Sequence, residues 1–147
     1  MTKKILIIED NAMTSELLAL TLQCFDCRIL IAGDGLSGLA IARAELPALV
    51  FLDITLPDLV GLEVCRRLKA DPTTANIKVV MISGLCQAED IKAGLDTGAL
   101  DYLTKPFSPL ALLDKVSAWL GLDEFGRVVV GDHRVLNTTK GTQLEQD

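Results

Sequence analysis

A chain of 147 residues, half of them hydrophobic, has the length of one ordinary domain and enough apolar side chains to bury a core. Its formal charge of −6 argues against a surface that neutralises nucleic-acid phosphates, which needs clustered Lys and Arg. No apolar run approaches the ~20 residues of a membrane span. The start, Met1-Thr2-Lys3-Lys4, leads into a short strand-like run rather than the longer apolar stretch of a signal peptide, so a cytoplasmic setting is expected.

Apolar runs alternate with amphipathic stretches along most of the chain. The runs predict strands over Lys4 to Glu9, Arg28 to Ala32, Leu49 to Asp53, Lys78 to Ile82 and Ala99 to Leu103. They are nearly unbroken Ile, Val and Leu, the composition of parallel strands covered on both faces. The intervening segments supply the cover as helices over Ala12 to Phe25, Leu36 to Glu45, Leu59 to Ala70, Ala88 to Thr97 and Pro109 to Leu120. In the first of these, Leu17, Leu18, Thr21 and Leu22 form an inward stripe while Glu16 and Gln23 stay wet. The third turns Val64 and Leu68 inward, exposes Arg66, Arg67 and Lys69, and stops at Asp71-Pro72, because a residue before proline avoids helical angles. The last opens on a Ser108 cap with Pro109 in the first turn, and Gly121 ends it. The expected architecture is α/β: a doubly wound, five-stranded parallel sheet with helices on both faces, in which the flavodoxin-like order 2-1-3-4-5 would set the first strand beside the third.

Beyond Gly121 the alternation fails. Residues 122 to 147 hold one short apolar run, Val128-Val129-Val130, read as a short strand, and from about Asn137 the chain is expected to be disordered because it cannot bury enough surface to offset its entropy. The single His133, in this tail, reads as solvated. Cys24 and Cys27 form a C-x-x-C without a second ligand pair, so with Cys65 they read as ordinary thiols of a reducing compartment rather than a zinc site. Cys86 falls near the strand tips, where its oxidation would perturb a site there.

The strand tips carry the chemistry. Asp53 follows four apolar residues, Leu49-Val50-Phe51-Leu52, at the point where strand gives way to loop; by itself it reads equally as a turn-forming Asp. Glu9 and Asp10 end the first strand, which neighbours the third in the expected order, and either Asp10 or Asn11 can also cap the helix that follows. Three carboxylates in one crevice repel, raising at least one pKa unless a cation intervenes. Mg2+ suits such a site, taking oxygen ligands from one or two carboxylates, water and phosphate, with the Thr55 carbonyl completing the protein share. Ser83-Gly84 offers a hydroxyl beside a residue that lets backbone approach a ligand, and Lys105-Pro106 a second positive charge, Pro106 permitting a cis peptide that would aim the amine inward.

Taken together, Ile8-Glu9-Asp10, Leu52-Asp53, Leu56-Pro57-Asp58, Gly61, Ser83-Gly84, Gly98-Ala99 and Asp101-Tyr102-Leu103-Thr104-Lys105-Pro106-Phe107 resemble the receiver domain of two-component response regulators, similar to the single-domain chemotaxis type, over about Lys4 to Leu120. The resemblance implies a receiver at residues 1–121; the failed alternation beyond it leaves 122–147 as a C-terminal extension in which no effector domain is expected. It also implies phosphoryl transfer from a histidine kinase or phosphotransfer protein onto Asp53, with Glu9 and Asp10 serving Mg2+, Ser83 and Lys105 contacting phosphoryl oxygens and Tyr102 as an aromatic switch. Such a module catalyses only its own phosphorylation and dephosphorylation, and its output is a protein-binding face around the fourth helix, fifth strand and fifth helix. It touches neither membrane nor, directly, nucleic acid. Val60 and Leu56 depart from the family pattern, which often has an acid and a Met there. Thr55 and Leu85 flank the path of a hydrolytic water, and an apolar Leu85 predicts slow loss of the phosphoryl group. The final helix has no Arg, a residue that transcription-factor receivers often use in paired dimers. A haloacid-dehalogenase-like phosphatase uses similar groups but wants a second acid where Thr55 stands. A receiver cut from a hybrid histidine kinase remains a further alternative.

Overall fold

The computed structural model describes residues 3–84, 88–121, 128–129 and 135–136. Five parallel strands, β1 (Lys3–Ile8), β2 (Cys27–Ala32), β3 (Leu49–Asp53), β4 (Lys78–Ser83) and β5 (Asp101–Thr104), form one sheet in the order β2-β1-β3-β4-β5. Five helices connect and flank them: α1 (Ala12–Leu22), α2 (Gly35–Glu45), α3 (Gly61–Ala70), α4 (Ala88–Asp96) and α5 (Pro109–Leu120). A two-stranded antiparallel ribbon of β6 (Val128–Val129) and β7 (Val135–Leu136) follows, its first strand within the apolar run of the tail. The stretch from Asn137, His133, Leu85 and Cys86 lie outside the described residues.

Successive strand residues point to opposite faces, so each unbroken apolar run feeds two cores. Ile5 and Ile7, Leu49 and Phe51, and Val80 and Ile82 pack with Leu18 and Leu22 of α1 and Leu112, Val116 and Leu120 of α5. Leu6 and Ile8, Val50 and Leu52, and Val79 and Met81 face Leu39 and Ala42 of α2 and Val64 and Leu68 of α3. All twelve of these strand side chains are fully buried, which is why the strands show no polar alternation.

The helix ends follow local chemistry. Asn11 caps α1, its Oδ1 accepting from Thr14 N at 3.1 Å, and Asp34 caps α2 by accepting from Ser37 N at 2.7 Å. Ser108 caps α5 with Pro109 in the first turn, and Gly121 ends it in the left-handed region at φ 71°. Asp71 turns to an extended conformation before Pro72 and stops α3.

Several expectations need correction. Leu17 is 45 % exposed rather than part of the inward stripe of α1, which consists of Ser15, Leu18 and Leu22. Helix α1 stops at Leu22, yet Phe25 still buries its ring by folding back from the following turn. Helix α3 starts at Gly61, not Leu59, because Gly61 N donates to Ile54 O at 2.6 Å and closes the preceding loop first. Lys69 is not a free surface amine: its Nζ donates to the carbonyls of Ala75 and Ile77, satisfying the turn between α3 and β4. At the fifth strand, residues 99–100 precede the ladder, which begins at Asp101.

Candidate functional site at the strand tips

Parallel pairing brings the distant residues together. Ile8 is opposite Leu52 in register, so continuing one residue places Glu9 beside Asp53. Asp53 is paired to Ile82 on its other side, and Ser83 to Thr104. The carboxyl ends of β1, β3, β4 and β5 thereby share one crevice, where an open sheet binds ligands.

Asp53 lies at its centre, buried, with both oxygens engaged. Thr55 N donates to Oδ1 at 3.1 Å, an orientation imposed by the turn after β3, and Lys105 Nζ donates to Oδ2 at 3.2 Å. Glu9 is buried beside it. Its Oε2 accepts from Asn11 N at 3.0 Å, while Oε1 faces Lys105 Nζ at 3.0 Å in an ion pair that lacks the direction of a hydrogen bond. Asp10 is exposed at the rim, and carboxylate oxygens of Glu9, Asp10 and Asp53 lie within 4.8 Å of one another.

Burial, reinforced by the neighbouring Asp53, pushes the Glu9 carboxyl above its ordinary pKa, while the Asn11 N–H and Lys105 oppose the rise. For Lys105 burial acts to lower the pKa, and the combined pull of Glu9 and Asp53 overcomes it, so the amine is held more firmly charged. One cation thus serves two buried acids, and Glu9 Oε1 has no hydrogen-bond donor. The donor set fits a hard divalent cation: oxygen ligands only, clustered acids and an under-satisfied buried carboxylate oxygen. Among the described residues this is the one cluster of His, Cys, Asp or Glu suited to a metal.

Ser83 is buried at the end of β4, and its carbonyl accepts from Lys105 N at 2.9 Å, tying the two strand tips. The Lys105–Pro106 peptide is cis. Tyr102 is 9 % exposed and belongs to the core that includes Met81. A cavity of about 280 Å³ beside Lys105 is lined by Thr14, Leu17, Pro106 and Phe107. A second, of about 330 Å³, lies between α4, β5 and α5, lined by Ile91, Leu95, Tyr102, Phe107, Ala111 and Lys115 among others. The described thiols, Cys24, Cys27 and Cys65, are partly or fully buried: burial, with Cys24 and Asp26 adding to it, pushes Cys27 up to about 11, and Cys24 and Cys65 are also raised by burial.

Sequence reasoning assembled Glu9, Asp10, Asp53, Thr55, Ser83, Tyr102 and Lys105 in this region, and the fold brings them to one end of the sheet. It gave no role to the Asn11 N–H on Glu9, nor to Asp58, whose carboxylate reaches back to the start of α2. Neither left a local signal: any residue but proline carries the N–H that Asn11 uses, and Asp58 finds Gly35 and Leu36 at 23 and 22 residues' separation.

The model of the response regulator receiver domain matches residues 5–117. RpaA of Synechocystis sp., a DNA-binding dual master transcriptional regulator, is 42% identical over 117 residues, 80% of this chain and 48% of its own length. Response regulator PleD of Caulobacter vibrioides is 39% identical over 116 residues, 79% of this chain and 26% of its own. The chain therefore spans about half or less of the length of these curated relatives. A CheY-like response regulator receiver domain protein from Methanospirillum hungatei superposes with a TM-score of 0.74 at 29% identity, covering 80% of this chain and 93% of that one.

Proposed function

Since the chain belongs to the response regulator receiver family, we propose that Asp53 accepts a phosphoryl group from a phosphohistidine of a sensor kinase or phosphotransfer protein, and that the resulting acyl phosphate resets a protein-binding face. The observation that carries this reading is the Asp53 carboxylate held by Thr55 N–H on one oxygen and Lys105 on the other, beside Glu9 and Asp10.

An oxygen of Asp53 attacks phosphorus in line, the new O–P bond forms as the P–N bond to the donor imidazole breaks, and that nitrogen leaves with its electron pair. No general base is required, because Asp53 reacts as carboxylate; positioning and charge neutralisation supply the acceleration. Thr55 N–H fixes the rotation of the carboxylate, and Lys105 neutralises charge on the phosphoryl oxygens. Receiver domains bind Mg2+ at an acidic pocket, and here Glu9, Asp10, Asp53 and the Thr55 carbonyl would hold it; when bound it screens the acids and the incoming phosphoryl charge.

Switching rests on Ser83 and Tyr102. Taking an equilibrium from 1:99 to 99:1 needs about 5.5 kcal/mol, whereas a hydrogen bond to a charged group contributes about 1.5–3 kcal/mol. Ser83 and Lys105 must therefore act together on the phosphoryl group, with a bound partner adding the remainder. Tyr102 already lies inward, so phosphorylation stabilises that ring position as Ser83 moves toward the phosphoryl oxygens. The output face is the groove of α4, β5 and α5. The donor side is the apolar stripe Met13, Leu17 and Leu20 on α1, exposed next to Lys105's cavity. A net charge of −6 supports protein rather than DNA as the contact of this domain.

Incubation with a small phosphodonor and Mg2+ tests the reading. A mass increase stable in acid and labile in base, lost on chelation, is the expected result. Repeated turnover of a phosphate ester would instead assign a phosphatase.

A further inference from the structure

The loop from Ile54 to Val60 carries Thr55 and joins Asp53 to α3, so its position sets the site. At its base Gly61 N donates to Ile54 O at 2.6 Å. On the α3 side Val60 occupies the cap position: its carbonyl accepts from Glu63 N at 3.0 Å and Val64 N at 3.3 Å, and its side chain makes no cap bond. The tip is held from elsewhere. Asp58 Oδ1 accepts from Gly35 N at 2.7 Å and from its own neighbour Leu59 N at 2.8 Å, and Oδ2 accepts from Leu36 N at 2.9 Å.

We infer that Asp58 is a positioning residue for the phosphoacceptor site, fastening the loop that carries Thr55 to the first turn of α2 across 23 residues of sequence. A carboxylate suits this place because the first N–H groups of a helix lack intrahelical partners and the helix dipole favours negative charge there. Close approach depends on Gly35, where a Cβ would stand 3.2 Å from Asp58 Oδ1 and 2.9 Å from Val64 Cγ2. The division of labour is complete: Asp58 takes the N–H groups of Gly35 and Leu36, and Asp34 takes that of Ser37. Both acids cap α2, and only Asp58 also holds the loop. Those backbone donors keep the Asp58 carboxyl below its ordinary pKa, with Gly35 the largest influence.

This difference supplies the control. The inference deepens the proposed phosphoacceptor role, but its first readout needs neither phosphoryl group nor metal. Hydrogen exchange is measured at the Thr55 and Gly61 amides in the full chain, in wild type, Asp58→Ala, Asp58→Asn and Asp34→Ala. Asp58→Ala is expected to speed exchange at Thr55 by about tenfold through local opening. Asp58→Asn, which keeps one acceptor oxygen, falls between it and wild type, and Asp34→Ala lowers the melting temperature while leaving Thr55 unchanged. Titration with Mg2+ alone should show about 10-fold weaker binding in Asp58→Ala, as for loss of a group that orients a metal ligand, and no change in Asp34→Ala. Equal behaviour of Asp58→Ala and Asp34→Ala, or an unaltered Thr55 amide in Asp58→Ala, overturns the inference. A wild-type chain that never takes up phosphoryl, with Thr55 still freed in Asp58→Ala, removes the phosphoacceptor reading and leaves the loop anchor standing.

Discussion

Lys105 answers two buried carboxylates at once, at 3.2 Å from Asp53 and 3.0 Å from Glu9. Removing it takes the shared charge partner from two buried acids, a more costly state than the intact pair. Lys105→Met is therefore expected to lower the melting temperature in metal-free buffer, to regain much of the loss when Mg2+ is added, and to slow phosphoryl uptake by about 10²-fold, the size typical of losing one preorganised charge partner. Thermal scans with and without Mg2+ check the first part; a Mg2+-induced rise in melting temperature no larger than the wild type's would refute it. At this scale the sequence was readable where the chain itself announces a break, as with Asp53 after four apolar residues or Glu9-Asp10 after Ile8. Roles that depend on a backbone N–H, such as Asn11 on Glu9, left no such mark, because every residue but proline carries that donor.

Among the described glycines, Gly61 at the junction of β3 and α3 has the least room for a side chain. A Cβ on Gly61 would lie 2.2 Å from the Asp53 carbonyl oxygen and 2.7 Å from Ile54 Cα, both backbone atoms that cannot swing aside. Gly61→Ala is expected to cost about 1–3 kcal/mol, the range for overpacking, and to impair phosphoryl uptake because the displaced backbone is that of the phosphoacceptor; chemical denaturation and uptake assays read the two effects. On the same helix, Glu63 is held to about 2, below its ordinary 4.5, first by Arg66 and then Arg67, whose Nε donates at 2.7 Å. A lowered folded-state pKa contributes stability above 4.5 that disappears as pH falls through about 2. Glu63→Gln should thus melt slightly below wild type at neutral pH and low salt, with the gap closing through that acid window and with added salt. A gap undiminished at pH 2 would contradict the assignment. Helix faces were legible where apolar and charged residues segregate, as in α3. In α1 apolar residues occur on every side, so periodicity could not tell the buried Leu18 from the exposed Leu17.

For the molecule as a whole, topology does the work of assembly. Unbroken apolar strands pointed to a parallel sheet covered on both faces, and the order β2-β1-β3-β4-β5, a known doubly wound arrangement rather than a pattern in the residues, sends residues 9, 53, 83 and 105 to one end of that sheet. What sequence could not convey is the long-range fastening between elements: Asp58 to α2, Lys69 over the turn after α3, and the Lys78 amine on the Trp119 carbonyl at the end of α5. Each joins groups with no local pattern, through side chains whose default reading is solvent. The shared edge is what the functional reading stands on, and chemical trapping addresses it directly. The chain is loaded with a small phosphodonor and Mg2+, reduced with borohydride, which converts an aspartyl phosphate to homoserine, and mapped by peptide mass spectrometry. The account predicts homoserine at residue 53, absent when Mg2+ is chelated and absent from Asp53→Asn. Trapping at another acid, or equal labelling of Asp53→Asn, would contradict it.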